Sequence, residues 1–188
     1  MSENLRWYTK ALYGMDHVVR LAKSDAWDNP SPCEEWTARH VIGHVIAVQR
    51  AHQAIIEDRP RPMHPMRDTD KHAGADPART WAEARDAVLE VLDDPSVLHR
   101  VVKSFRGEEP IDDLLGFNVI DTTIHSWDLA RALGVDSKLD PGLVARTTSL
   151  LAQRVDSMRG ARGYGPEIDV PAKADPQTAL LALAGRRA

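Results

Sequence analysis

The sequence has few of the features that would assign it at once to a common class. Its single cysteine, Cys33, excludes an intramolecular disulfide and a zinc site built from several cysteines, and is typical of a protein from a reducing cytoplasm. No apolar run approaches the roughly 18–20 residues that span a bilayer. Residues 1–4 contain no basic region followed by an apolar stretch, so we expect no signal peptide.

An excess of positive charge is also missing. The net charge is −4 over 188 residues, which gives no electrostatic reason to expect binding to nucleic acid or to an anionic membrane. The sequence contains no phosphate-binding glycine loop, no Gly-x-Ser-x-Gly and no His-Glu-x-x-His motif. From this length and composition we predict a cytoplasmic protein with a single domain over residues 1–188. We further expect a monomer or homodimer whose partner is a small molecule.

Helical periodicity dominates what is present. Four long stretches carry apolar residues at helical spacing, and such helices usually bury their apolar stripes against one another. We therefore predict an all-α fold, a four-helix bundle extended by C-terminal helices and a tail. The predicted helices cover about 3–24, 38–58, 77–94 and 111–133, followed by 141–158 and a short helix over 176–184.

Two connecting segments are less regular. The polar segment 59–74 has no periodicity, and we expect a mobile loop that forms one wall or a lid of a substrate pocket. The segment 97–105 is compatible with a small strand or with an irregular crossover.

The second predicted helix contains His44 within its apolar stripe. At about 100° per residue His44 projects at nearly the same angle as Val41, Val48 and Ile55. An isolated histidine in such a stripe is most often a core residue satisfied by a hydrogen bond. His40 lies one turn earlier and nearer the edge of the stripe, so it is the weaker candidate on this helix.

The fourth predicted helix carries a polar stripe between apolar residues. Asn118, Asp121, His125 and Asp128 fall within an arc of roughly 80°. A solvated stripe opposes the apolar face instead of interrupting it, and burial of an aspartate is expensive unless a charge or metal compensates it. Because Asp121 and His125 are four residues apart, they lie close enough to chelate one cation. The alternative is an exposed, hydrogen-bonded Asp–His pair.

These two helices together predict an open metal site. If His44 faces Asp121 and His125 across the core, two imidazoles and one carboxylate would bind a divalent ion, most suitably zinc, with nickel and iron as alternatives. We therefore predict these three residues as the metal ligands. Asn118 and Asp128 are predicted to orient a ligand imidazole from behind. The sequence assigns no further catalytic residue.

Other reactive side chains offer less. Cys33 precedes a helix N-terminus but has no visible base partner, so we expect an unreactive thiol. Five histidines have no ligand partner at a useful spacing and are expected at the surface. They are His17, His52, His64, His72 and His99.

Two motifs carry a resemblance to a known family. Residues 31–37, Ser-Pro-Cys-Glu-Glu-Trp-Thr, precede His44, and Asp121-x-x-x-His125 is followed by Ser-Trp-Asp-Leu-Ala-Arg-Ala. In order and spacing these motifs resemble the DinB/YfiT-like metalloenzymes, in particular actinobacterial proteins related to the N-terminal domain of mycothiol-dependent maleylpyruvate isomerase. The tail from residue 164 to residue 187 is similar to that branch too, so the resemblance covers nearly the whole chain.

The resemblance implies an up-down-down-up four-helix bundle with a three-ligand divalent site at His44, Asp121 and His125. Many DinB-like proteins have histidine at the position of Asp121, and the isomerase has glutamate. This difference bears on which metal is bound and how tightly, and not on where the site lies. The implied activity is that of a thiol-dependent, mycothiol-type transferase or isomerase acting on small electrophiles. The cosubstrate would be a low-molecular-weight thiol such as mycothiol.

Two alternatives to this activity remain. One is a metal-dependent hydrolase, which would use water in place of the thiol. The other is a non-enzymatic, stress-related bundle that only binds the metal. We expect this chain to lack the isomerase's separate C-terminal domain, so isomerase activity itself is not inherited.

Overall fold

A computed structural model describes residues 2–104, 106–160 and 164–188, and helices dominate this part of the chain. In chain order the helices are α1 (Glu3–Arg20), α2 (Ala38–Ile56), α3 (Thr69–His72), α4 (Pro77–Val91), α5 (Ile111–Leu133), α6 (Pro141–Ala152), α7 (Val155–Met158) and α8 (Pro176–Leu183). The prediction of a mostly helical protein is confirmed. Among the described residues, no helix is both long and apolar enough to cross a membrane.

A small sheet departs from the all-α prediction. After a 3-10 helix (Pro95–His99), β1 (Val101–Ser104) pairs antiparallel with β2 (Gly107–Pro110), in a register that sets Val101 opposite Pro110. The strand alternative for the segment 97–105 is therefore correct over β1, whereas residue 105 lies outside the described part of the chain.

The four long helices share one core. Helix α1 packs against α5 and α4, and α2 packs against both of the same helices. The up-down-down-up order of these helices stays a prediction. Helix α5 is the central element, since 19 of its 23 residues are buried. A helix that is buried on nearly every side carries its polar residues into the interior, and this places the polar stripe of α5 inside the protein.

Local sequence explains where the helices begin. The carboxylates of Asp76, Asp140 and Asp175 accept hydrogen bonds from N–H groups in the first turns of α4, α6 and α8, and each is followed by proline at the first helical position. At the start of α2, the backbone N–H of Thr37 donates to Nδ1 of His40 at 3.2 Å. This contact directs His40 to the helix end.

Several elements differ from the prediction, and α4, for example, ends at Val91, three residues before the predicted end. Helix α1 ends at Arg20 because i→i−3 turns begin there, and the N–H of Leu21 donates to the carbonyl of Val18. The predicted helix over 141–158 is divided into α6 and α7, because the N–H of Arg154 donates to the carbonyl of Leu151 and tightens the chain. The segment 59–74 contains α3, which the absence of periodicity did not indicate.

Gly43 allows α3 to lie directly on α2. A Cβ atom at this position would lie 1.7 Å from the carbonyl oxygen of Thr69, so no other residue permits this approach of two backbones. The contact holds the segment 59–74 beside His44, the residue that follows Gly43 in α2.

Candidate metal centre

Helices α2 and α5 bring three predicted ligands together. Nε2 of His44 lies 3.4 Å from Oδ1 of Asp121, and Nε2 of His125 lies 3.7 Å from the same oxygen. One donor atom from each residue lies within 4.8 Å of the other two. Donors bound at about 2.0–2.1 Å to one tetrahedral zinc ion lie about 3.3–3.4 Å apart, so the two distances to Oδ1 of Asp121 are close to those around a shared ion. All three residues are buried, and the alternative of an exposed Asp–His pair is therefore wrong.

Both imidazoles are held from behind. Nδ1 of His44 lies 2.9 Å from the carbonyl oxygen of Pro65, and Nδ1 of His125 lies 2.9 Å from Oδ2 of Asp128. Both partner oxygens accept hydrogen bonds, so each Nδ1 carries a proton that it donates. In a neutral imidazole, Nε2 then carries a lone pair that faces Asp121. Because the carboxylate oxygen also presents lone pairs, the two atoms repel each other unless a proton or a metal ion lies between them.

The electrostatics of Asp121 favour a cation. Burial alone would raise the pKa of Asp121, but the charge and hydrogen bond of His44, with the charges of His125 and His52, lower it to about 2. Burial would likewise lower the pKa of His44, yet the Asp121 carboxylate and the Pro65 carbonyl raise it above its ordinary value. Oδ2 of Asp121 is buried and has no hydrogen-bond partner in the described part of the chain. An ionised, incompletely paired carboxylate between two imidazoles fits a divalent ion.

A second cluster shares His125 but already contains its cation. Sγ of Cys33 and Nδ1 of His125 both contact Oδ2 of Asp128, at 3.2 and 2.9 Å. The guanidinium of Arg186 donates to the same carboxylate, from Nε to Oδ1 at 3.0 Å and from Nη2 to Oδ2 at 3.2 Å. Burial would raise the pKa of Asp128, but its hydrogen bond to His125 and the charge of Arg186 hold it below the usual range. Arg186 therefore supplies the positive charge that a metal would supply elsewhere.

The same cluster explains the behaviour expected of Cys33. Burial, with the negative charge of Asp128, raises the pKa of the Cys33 thiol to about 12. The thiol is therefore protonated at neutral pH, which supports the expectation of an unreactive cysteine. The expectation that Cys33 has no base nearby is wrong, because its thiol contacts Asp128. The sequence did not indicate this contact, since the two residues are far apart in the chain.

A cavity of about 740 Å³ lies beside the cluster of His44, Asp121 and His125, which we call the open cluster. His44 and Asp121 lie in its wall, and the segment 59–74 forms one side, as predicted. Most of the other lining residues are apolar, among them Val48, Ile55, Met63, Met66, Leu114 and Phe117. A cavity of this size and lining suits a small, largely apolar molecule held next to a few polar groups.

His52 is also in the cavity wall, and its predicted surface position is wrong. Helix α2 is buried on most sides, so a residue at the edge of its apolar stripe is covered as well. Nδ2 of Asn118 lies 2.8 Å from Nδ1 of His52 and 3.0 Å from Nε2. Asn118 therefore contacts His52 instead of orienting a ligand imidazole, whereas Asp128 does contact His125 as predicted. Of the other four histidines, His17, His64 and His99 are exposed and His72 is half-buried.

Two residues of the centre were assigned no role from the sequence, although both lie in segments that carry the family resemblance. The ring centroid of Trp36 lies 5.4 Å from that of His44 and 6.2 Å from that of His125, so one indole covers both imidazoles. Arg186 reaches Asp128 across 58 residues of sequence. Contacts between such distant segments produce no periodicity.

Comparisons with known proteins identify a family and one relative. The mycothiol maleylpyruvate isomerase N-terminal domain family matches residues 10–130, which include His44, Asp121 and His125. An uncharacterized protein of Mycobacterium tuberculosis, found in two strains, is 28% identical over 171 residues, which are 90% of either chain. No solved structure gives a significant match.

Proposed function

The chain belongs to the mycothiol maleylpyruvate isomerase N-terminal domain family, and from this premise we propose that it binds one divalent metal ion through His44, Asp121 and His125. The observation that carries the proposal is the convergence of two anchored imidazoles on a buried carboxylate whose second oxygen has no partner in the described part of the chain. Two imidazoles and one carboxylate favour zinc, with nickel and iron as alternatives. Three protein ligands leave one position for a substrate.

The proposed reaction joins a low-molecular-weight thiol, mycothiol in this family, to a small electrophile, or uses the thiol in an isomerisation. A zinc-like ion held by these residues would lower the pKa of a bound thiol and would supply a thiolate at neutral pH. Asp121 offsets part of the positive charge. The Pro65 carbonyl and the Asp128 carboxylate hold the imidazoles with Nε2 directed at the centre. The apolar cavity wall would hold the electrophile beside these residues.

The test compares rates with and without an added thiol. Zinc-loaded protein is incubated with a panel of small electrophiles, and consumption of each is followed with mycothiol, with a simple cysteine derivative and with no thiol. We expect a thiol-dependent rate that disappears with a chelator and in His44→Ala. Equal rates with and without thiol would instead indicate hydrolysis by water. No rate across the panel would indicate a non-enzymatic metal-binding protein.

A further inference from the structure

The C-terminal tail turns back into the protein at Gly185. The φ of Gly185 is 72°, and a Cβ there would lie 2.8 Å from Cα of Gly165, so both the conformation and the close approach require glycine. After this turn the N–H of Arg186 donates to the carbonyl of Leu181 at 2.7 Å. The Arg186 side chain is thereby directed inward, and only 9% of it is exposed.

Arg186 pairs with Asp128 through both carboxylate oxygens. The two hydrogen bonds, of 3.0 and 3.2 Å, form a fork against a side chain that has no exposed surface. A forked pair fixes the plane of the carboxylate in addition to neutralising its charge. Removal of either partner would leave a buried charge without compensation. The orientation of Asp128 therefore depends on Arg186.

Asp128 in turn holds the proposed ligand His125. Its Oδ2 accepts the proton of Nδ1 at 2.9 Å, which leaves Nε2 for the side that faces Asp121. A carboxylate that rotated away would release the ring to turn or to exchange tautomers. The connected residues thus run from Arg186 through Asp128 to His125.

Packing shields this series from water. Sγ of Cys33 lies 3.4 Å from Nη2 of Arg186, and the guanidinium lies 5.8 Å from the ring centroid of Tyr164. Water and salt screen a shielded ion pair less than a surface pair. The geometry of the Arg186–Asp128 pair therefore has a larger effect on the orientation of Asp128. The neighbouring Arg187 is exposed, and it provides a matched comparison.

We infer that Arg186 is a positioning residue of the metal centre, which acts through Asp128 on His125 and thereby sets the affinity for the metal. The inference rests on the proposed function. It gives a role to a tail that lies outside residues 10–130, the part matched by the family. Loss of a residue that supports a ligating histidine typically weakens metal binding about 10- to 100-fold.

The first test measures zinc affinity by competition with a chromogenic chelator. We expect roughly 10-fold weaker binding or more in Arg186→Ala, a smaller loss in Arg186→Lys, and parent affinity in Arg187→Ala. Lysine keeps the charge without the fork, so Arg186→Lys also serves if Arg186→Ala does not fold. Circular dichroism and urea unfolding identify the folded variants. Parent affinity in folded Arg186→Lys and Arg186→Ala would overturn the inference.

A double-mutant cycle distinguishes positioning from a general loss of stability. If Arg186 acts through Asp128, then Arg186→Ala weakens zinc binding much less when Asp128→Asn is already present. Equal losses in both backgrounds would contradict the inference, because they would show that Arg186 acts by another route.

Nitrogen-15 spectra of the His125 ring in zinc-free protein separate this inference from the proposed function. We expect the Nδ1–H tautomer in the parent and in Arg187→Ala, and a mixture of tautomers in Arg186→Ala. A parent that binds no zinc would refute the proposed function but would leave this measurement valid. An unchanged ring spectrum in folded Arg186→Ala would overturn the role of Arg186.

Discussion

His125 belongs to two clusters that differ in the source of their positive charge. Its Nδ1 contacts Asp128, whose carboxylate is paired with Arg186. Its Nε2 faces Asp121, whose Oδ2 has no partner among the described residues. The first cluster is paired within the protein, whereas a proton or a divalent ion would complete the second. A histidine–carboxylate contact therefore indicates a metal site only where the fold supplies no cation of its own.

The two clusters also differ in access. His44 and Asp121 lie in the wall of the 740 Å³ cavity, whereas Asp128 is fully buried. Water and small molecules can therefore approach His44 and Asp121 from the cavity, whereas protein atoms cover Asp128. Substitutions on the two sides should consequently have very different effects on metal binding.

The largest effect is expected for a ligand of the open cluster. His44→Ala and His125→Ala each remove a donor, and zinc affinity should fall by more than the roughly 100-fold that marks the loss of a supporting residue. Metal content after dialysis and chelator competition measure this loss. His40→Ala is the control, because His40 contacts Thr37 at the start of α2. If both variants retained their full metal content, the assignment of His44 and His125 as metal ligands would be wrong.

Substitution of Asp121 should have the next largest effect. Asp121→Asn keeps the shape but removes the charge that offsets a buried dication, so zinc affinity should drop strongly. Asp121→Glu keeps the charge on a side chain one methylene longer and should retain part of the binding. The same competition assay measures both. If Asp121→Asn bound zinc as tightly as the parent, Asp121 would not be a ligand.

The cavity side also contains a histidine that should make stability depend on pH. Burial, opposed by Asp121 and aided by Arg106, lowers the pKa of His52 from its usual 6.5 to about 4. Below pH 6.5 the unfolded chain takes up a proton that the folded protein does not, so the contribution of His52 to stability is lost between pH 6.5 and about 4. This loss amounts to at most roughly 3 kcal/mol.

Urea unfolding of metal-free protein at pH 7 and pH 5 tests this dependence. The free energy of unfolding should fall less with decreasing pH in His52→Gln than in the parent, since glutamine does not titrate. Parallel pH dependence in the two proteins would show that His52 is protonated equally in the folded and unfolded states.

The smallest effect is expected at Cys33, which belongs to the buried cluster around Asp128. A serine hydroxyl can retain the contact with Asp128, and the raised pKa of the thiol, about 12, makes it a poor nucleophile. Cys33→Ser should therefore keep nearly the parent zinc affinity and the parent thiol-dependent rate, measured with the added thiol at saturation. Loss of the rate with intact zinc binding would show that the protein's own thiol takes part.

Helix α5 shows how far local sequence predicts this fold. Its bounds, Ile111–Leu133, agree with the prediction because Pro110 and Gly134 act within one helical turn. The prediction failed for the helix over 141–158, which is interrupted at Arg154 without a proline or glycine to indicate it. Signals that act over one turn can be recognised in the sequence, and a break without such a residue cannot.

The candidate site divides in the same way. Periodicity placed His44, Asp121 and His125 on buried helix faces, because a helical repeat is visible within a few turns. The lack of a ligand partner at a useful spacing led to a predicted surface position for His52, and this prediction is wrong. How far a buried face extends depends on what packs against the helix, and helical spacing alone does not contain that information.

Caps, helix faces and the four-residue spacing of Asp121 and His125 follow from the sequence, because each depends on interactions within about one turn. Which carboxylate receives a cation from the protein was decided only by the tertiary structure. The turn at Gly185 carries Arg186 to Asp128 across 58 residues, and the close approach at Gly43 brings Pro65 to His44. These contacts join segments that are distant in sequence, and their pairing has no period by which it could be recognised.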